Sequence, residues 1–150
     1  MLRNIIENMP AFREFSGKEL CKFADMNHSI TEFKRGETII KEGDSFTSIY
    51  IILKGSVKIV KRTEGHTIRL ARLNPGEIFG EMSFFSDKRR HCDAIAGENV
   101  QVLKMDEEFF EKARPSIKDK LKNYFIELLI ERLDTMNESL ISVSKLMRVR

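Results

Sequence analysis

The sequence predicts a mainly β fold with flanking helices, an α+β arrangement built on an antiparallel sandwich or barrel. Three observations carry that expectation. Between Ile30 and Met105, short runs rich in Ile, Val, Phe and Thr are separated by Gly36, Gly43, Gly55, Gly65, Gly76 and Gly97, the spacing of successive short strands and tight turns. No helix of ordinary length fits between these turns, which argues against a parallel α/β sheet. Helical patterns lie instead at the two ends, before about Asn27 and after Asp106.

In chain order, Ser16 followed by Glu19 forms a capping box, each side chain satisfying a backbone N–H at a helix start, and Leu20, Phe23 and Ala24 supply the apolar face behind it. In the centre, Val57 and Ile59 alternate with Ser56 and Lys58, and Ile68 and Leu70 flank Arg69, so each strand is expected to turn one face inward. Ile49 to Leu53 is continuously apolar and is expected to be covered on both faces. After Asp106, the acidic Glu107 and Glu108 suit the first turn of a helix carrying Phe109 and Phe110, which Pro115 interrupts. Ser116 with Asp119 is a second capping signal. Behind it, Ile126, Leu129, Leu133, Met136, Leu140, Val143 and Met147 recur every three and four residues, a heptad pattern. This stripe fits either packing on its own domain or a coiled-coil homodimer, and its length past a small barrel favours the dimer.

A chain of 150 residues, 41% hydrophobic and 33% charged, is one ordinary domain that buries a core without staples. Its apolar runs are too short to cross a bilayer, and Cys21 and Cys92 are too few and too far apart for a secreted disulfide framework, so a cytoplasmic protein without a membrane partner is expected. With 26 basic against 23 acidic residues the net charge is +3, a mixed surface rather than the footprint of a nucleic-acid binder.

Catalytic and metal constellations are missing, so an enzyme is not expected. His28, His66 and His91 have no metal-ligand spacing with one another or with the cysteines, and no nucleophile elbow, Walker loop or HExxH stands in the chain. Cys92 follows His91, but neighbours on a strand point to opposite faces, which weakens an activated-thiol reading.

The densest signal is Asn74-Pro75-Gly76-Glu77-Ile78-Phe79-Gly80-Glu81-Met82-Ser83-Phe84-Phe85, followed by Ser86-Asp87-Lys88-Arg89-Arg90. It resembles the phosphate-binding cassette of the cyclic nucleotide-binding domain superfamily, in which Phe-Gly-Glu precedes an arginine by about nine residues and a strand follows, here Ala94-Ile95-Ala96. The resemblance extends to Phe33 through Ile40, Glu42-Gly43-Asp44 and Ile49 through Val57. It implies an eight-stranded β-roll with a jelly-roll connection, an N-terminal helix, a short cassette helix and a long C-terminal helix.

The resemblance also implies a ligand, cAMP or cGMP, and no cofactor. Phe79, Gly80, Glu81, Met82, Ser83, Arg90, His91 and Cys92 would surround it. Gly80 permits close backbone approach at the start of a short helix, Arg90 would neutralise the phosphate, and Glu81 would accept the ribose 2′-hydroxyl. Arg89 is read as a solvated neighbour. Alternatively, Glu81 and Arg90 pair with each other in an empty roll. The family usually places Ser or Thr and then Ala after the arginine, where this chain has His91 and Cys92. His91 would either donate to the phosphate or fill the pocket, and strand alternation would turn Asp93 outward.

By this resemblance residues 1–114 form the roll with its N-terminal helices and a hinge helix around Phe109, Phe110 and Pro115. Residues 115–150 form a lid or dimerisation helix of the same domain. The expected function is a dimeric sensor that converts nucleotide binding into helix movement and acts on an effector protein the sequence does not name. The competing expectation is a degenerate roll that binds no nucleotide and serves as a dimeric interaction module. A transcription factor is not expected, because the helix-turn-helix domain that follows the long helix in such factors does not appear before Arg150; the basic end, Lys145, Arg148 and Arg150, complements the helix C-terminus.

Overall fold

The computed structural model describes residues 2–26, 29–86 and 89–148. Asn27, His28, Asp87, Lys88 and Arg150, which figured above, lie outside the described residues. Helix α1 (Leu2–Ile6), a 3-10 turn at Pro10–Phe12 and α2 (Gly17–Asp25) come first. The capping box is formed: Glu19 N donates to Ser16 Oγ at 3.2 Å and Ser16 N to Glu19 Oε1 at 2.9 Å. These bonds satisfy the opening N–H groups of α2 and orient its apolar face, on which Leu20 and Phe23 are buried.

Strands β1 (Ser29–Phe33), β2 (Thr38–Ile40), β3 (Ile49–Lys54), β4 (Val57–Thr63), β5 (His66–Leu73) and β6 (Ile78–Phe79) follow. After α3 (Glu81–Ser86) come β7 (Asp93–Ala96) and β8 (Val100–Met105). They form two antiparallel four-stranded sheets, ordered β1-β8-β3-β6 and β2-β7-β4-β5. Apart from the β4–β5 hairpin, sequential strands fall in different sheets, as in a jelly roll.

Strand β3 separates two cores, as its continuous apolar run requires. Ile49, Ile51 and Leu53 join Leu103 and Met105 in a cluster with Phe12, Phe23, Phe109, Ile117, Leu121 and Phe125 of the helices. Tyr50 and Ile52 face the other way and pack inside the roll with Val57, Leu73, Phe79, Ala94, Ala96 and Val102. The helical layer is thereby fixed to the outer face of one sheet, while the roll interior is left to form a site.

Three local expectations are corrected. Ile68 and Leu70 are 47% and 55% exposed, because the register skips Leu70 between Ile59↔Ala71 and Val60↔Arg69 and β5 has no strand beyond it. Ser116 is the second residue of α5 (Pro115–Arg148) rather than its cap; proline takes the first helical position, where a missing N–H costs nothing. Asp93 is buried at 5% exposure, not turned to solvent, because Glu42 N donates to its Oδ1 at 2.6 Å and Arg62 pairs with its Oδ2 at 3.4 Å.

Helix α4 (Glu107–Lys112) is capped by Asp106, whose Oδ1 accepts from Phe109 N at 2.9 Å. Helix α5 runs for 34 residues, about 50 Å. Its first turns bury Ile117, Leu121 and Phe125, whereas Ile126, Leu133, Met136, Leu140, Val143 and Met147 are each more than half exposed. The heptad stripe is therefore not covered by its own domain.

Candidate functional site

The cassette lies where β6 ends and α3 begins. Gly80 adopts φ +87°, a conformation costly for any other residue, and a Cβ there would stand 2.8 Å from the Ser48 carbonyl and 3.0 Å from Arg90 Nη1. This close approach lets Arg90 Nη1 donate to Gly80 O and Nη2 to Ser48 O, both at 2.7 Å. The Arg90 backbone is tied to the preceding turn as well: Arg90 N donates to Asp44 O and Gly43 N to Arg90 O, both at 2.9 Å.

Arg90 is 5% exposed, and its Nε has no hydrogen-bond partner. Burial holds its pKa below the ordinary value for arginine, against the opposing influence of Tyr50, Glu81 and Asp44. Tyr50 stacks on Phe79 with ring centroids 5.0 Å apart, and burial raises its hydroxyl pKa. A desolvated guanidinium anchored only by carbonyl dipoles is short of negative charge.

Glu81, 3% exposed, does not pair with Arg90. Arg132, reaching from α5, forms an ion pair with Glu81 and donates from Nη2 to Ile78 O at 2.6 Å. The expected pairing of Glu81 with Arg90 is thus replaced by a long-range one, and the two site charges stay separate.

The other expected residues fall into two groups. Phe79 and Ser83 are buried and Cys92 is half-buried, its thiol pKa raised chiefly by burial. Met82 is 60% exposed and His91 is also exposed, so the His91 side chain does not fill the roll. Arg89 is exposed, as a solvated neighbour should be. Ser48 and Arg132 enter the site through contacts spanning 42 and 51 residues, and no local pattern in the sequence marks them. Two shallow clefts lie beside the helices instead, one lined by Lys22, Lys112 and Arg114, the other by Phe84, Phe110 and Lys122. Among the described residues no group of His, Cys, Asp and Glu has the arrangement of a metal site, and no helix is long and apolar enough to cross a membrane.

A β-roll carrying a buried arginine and a buried glutamate on one short cassette, with a long C-terminal helix reaching that cassette through Arg132, has the architecture of a regulatory ligand-binding fold. The chain belongs to the cyclic nucleotide-binding domain family, whose profile matches residues 30–114. It is similar to the mouse (Mus musculus) cGMP-dependent protein kinase 2, 32% identical over 125 residues, covering 81% of this chain and 16% of the kinase. It is likewise similar to the CRP-like cAMP-activated global transcriptional regulator of Mycobacterium tuberculosis, 30% identical over 132 residues and covering 84% of this chain and 57% of the regulator. The chain therefore spans about a sixth of the one and just over half of the other. Among solved structures, the Thermus thermophilus catabolite activator protein superposes with a TM-score of 0.77 at 25% identity, covering 90% of this chain and 63% of that one. A cyclic nucleotide-binding domain from Methylobacillus flagellatus has the same fold, with a TM-score of 0.80 at 20% identity over 92% of this chain and 79% of that one.

Proposed function

We propose that this chain is a sensor that binds a cyclic nucleotide, cAMP or cGMP, and converts occupancy into movement of α5. The observation that carries this reading is the Arg90 guanidinium, buried, lowered in pKa by desolvation, with Nε unpartnered and no ion pair to a carboxylate among the described residues. An unpaired buried charge is costly, and a cyclic phosphate supplies the missing anion. Glu81 accepts the ribose hydroxyl. Backbone from Gly80 to Ser83 and at His91 and Cys92 lines the phosphate, since the side chains of Met82 and His91 are exposed.

Coupling follows from Arg132. A ribose hydroxyl bound to Glu81 competes with the guanidinium that α5 already places there, so ligand and helix position are linked through one carboxylate. Residues 1–114 act as the receptor. Residues 115–150 act as lid and homodimer element through the exposed stripe from Ile126 to Met147, in a cytoplasmic protein that acts on an effector protein without catalysis or nucleic-acid binding of its own.

One observation favours a second reading. Arg132 already satisfies Glu81, as it would in a roll that binds no nucleotide and works as a dimeric interaction module. A thermal-shift series with cAMP, cGMP and AMP separates the two. Saturating ligand at a hundredfold its Kd adds about 2.7 kcal/mol, a rise in Tm of several degrees that AMP does not reproduce. No rise with either cyclic nucleotide at millimolar concentration would favour the interaction module.

A further inference from the structure

Among the described residues the buried polar side chains outside the cassette include Ser48, Ser56 and Asp93, and on β4 the spacing of the inner apolar positions continues to a lysine. Strand β4 places Val57 and Ile59 in the inner cluster. Its pairing with β7 runs unbroken from Val57↔Ala96 to Val60↔Asp93, with Ala94 and Ala96 also inward. The same spacing continues to Lys61 on β4 and to Cys92, which immediately precedes β7.

Lys61 Nζ donates to His91 O at 2.7 Å and forms an ion pair with Glu42. That bond with Glu42 is the main reason the Lys61 ammonium holds its proton above its ordinary pKa. Glu42 is fixed in turn, its N–H bonded to buried Asp93 at 2.6 Å. The Lys61 and Glu42 side chains are 38% and 36% exposed, and Lys61 is joined to the residue next to Arg90. An exposed Lys–Glu pair adds little stability. This one stands on an inner strand position, anchored on both sides, beside the proposed phosphate site.

We propose that Lys61 and Glu42 read the base, making the roll a receptor for a 6-oxopurine cyclic nucleotide, cGMP in preference to cAMP; this rests on the cyclic-nucleotide reading above. With phosphate at Arg90 and ribose at Glu81, the base is the remaining end of the ligand, and over His91 and Cys92 it meets this pair. An ammonium only donates and a carboxylate only accepts. Guanine matches both: O6 accepts from Lys61 Nζ, while N1–H and the 2-amino group donate to Glu42. Adenine opposes both, because its 6-amino group faces the ammonium and its N1 lone pair faces the carboxylate. With adenine the two groups stay paired with each other and gain nothing, so discrimination comes from the hydrogen bonds that guanine alone adds.

The test is calorimetric titration of the wild type, Glu42→Gln and Lys61→Met with cGMP, cAMP and cyclic IMP, which keeps O6 and N1–H but lacks the 2-amino group. The wild type should bind cGMP at least about tenfold more tightly than cAMP, with cyclic IMP between them, and each variant should lose most of that ratio. The ratio is the readout because a general loss of structure lowers both affinities together. Equal affinities in the wild type, a preference for cAMP, or variants that weaken both ligands alike overturn the base-reading pair and leave the Arg90 site standing. No binding of any cyclic nucleotide overturns both.

Discussion

Arg132 on α5 forms an ion pair with Glu81 on α3, across 51 residues of sequence. Glu81 is the group that a ribose would use, so the protein's own guanidinium stands in for part of the ligand. The Arg132 side chain is 33% exposed and that of Glu81 5%, so the two partners respond differently to truncation. Removing Arg132 strands a buried carboxylate.

The first prediction follows from that asymmetry. Arg132→Ala should destabilise the ligand-free protein by about 1–3 kcal/mol, discounted because the arginine is partly in water. The same variant should bind cyclic nucleotide more tightly and show a larger ligand-induced rise in Tm, since the ligand no longer displaces a competitor. Thermal melts with and without ligand check it. A variant that loses stability and affinity together would mean that Arg132 holds Glu81 in place for the ligand instead of competing with it.

Gly80 carries the second. Ala at this position meets the Ser48 carbonyl at 2.8 Å in a backbone of φ +87°, strain of about 1–3 kcal/mol. Relief requires moving the Gly80 and Ser48 carbonyls that hold Arg90. Gly80→Ala should therefore lower Tm and weaken nucleotide binding. The same substitution at Gly65, whose Cβ would meet nothing within 4 Å, should leave binding unchanged, although its φ of +78° also costs stability. Equal binding losses at both glycines would refute the role given to the cassette contact.

A pH dependence arises at the junction of α2 and α5. Lys120 Nζ donates to Glu19 Oε1 at 2.5 Å, and this bond, ahead of the Ser16 backbone, lowers the Glu19 pKa from 4.5 to about 2. A lowered folded-state pKa adds stability above the unfolded value, so the contribution is present above about pH 5 and fades as pH falls toward 2. Lys120 and Glu19 side chains are 34% and 15% exposed, so screening limits the contribution to about 1 kcal/mol. Lys120→Met should lower Tm by about 2–4 °C at neutral pH, and the gap should close in acid. A gap independent of pH contradicts the assignment.

The exposed stripe of α5 gives the fourth. Leu133 and Leu140 are 58% and 65% exposed, so Leu133→Asp with Leu140→Asp should cost the isolated fold little. In sedimentation experiments the wild type should be a dimer and the double variant a folded monomer. A wild type that is monomeric at high concentration removes the homodimer from this account.

Much of the fold was legible because its signals are local. The Ser16 and Glu19 capping box, the glycine turns, the continuous run from Ile49 to Leu53 and the helix that carries the heptad from Ile126 each arise from signals within a few residues, and each formed as a local element. Failures came where distant partners decide. Asp93 is drawn inward by Glu42 and Arg62, 51 and 31 positions away. Ser116 yielded the helix start to Pro115, and Ser116 instead helps to lower the Glu19 pKa. In the site, Glu81 and Arg90 could be named from their spacing, but Arg132 could not, because an arginine among alternating charges on a helix looks like any solvated one.

The most direct test of the central claim is calorimetric titration of cAMP and cGMP into the wild type and into Arg90→Ala and Arg90→Lys, each first verified as folded by its thermal transition. The wild type should bind saturably in the micromolar range, about −8 kcal/mol, weakened by about 2–5 kcal/mol in Arg90→Ala and less in Arg90→Lys, which keeps the charge. A folded Arg90→Ala with unchanged affinity, or a wild type that takes up neither nucleotide at millimolar concentration, would contradict it.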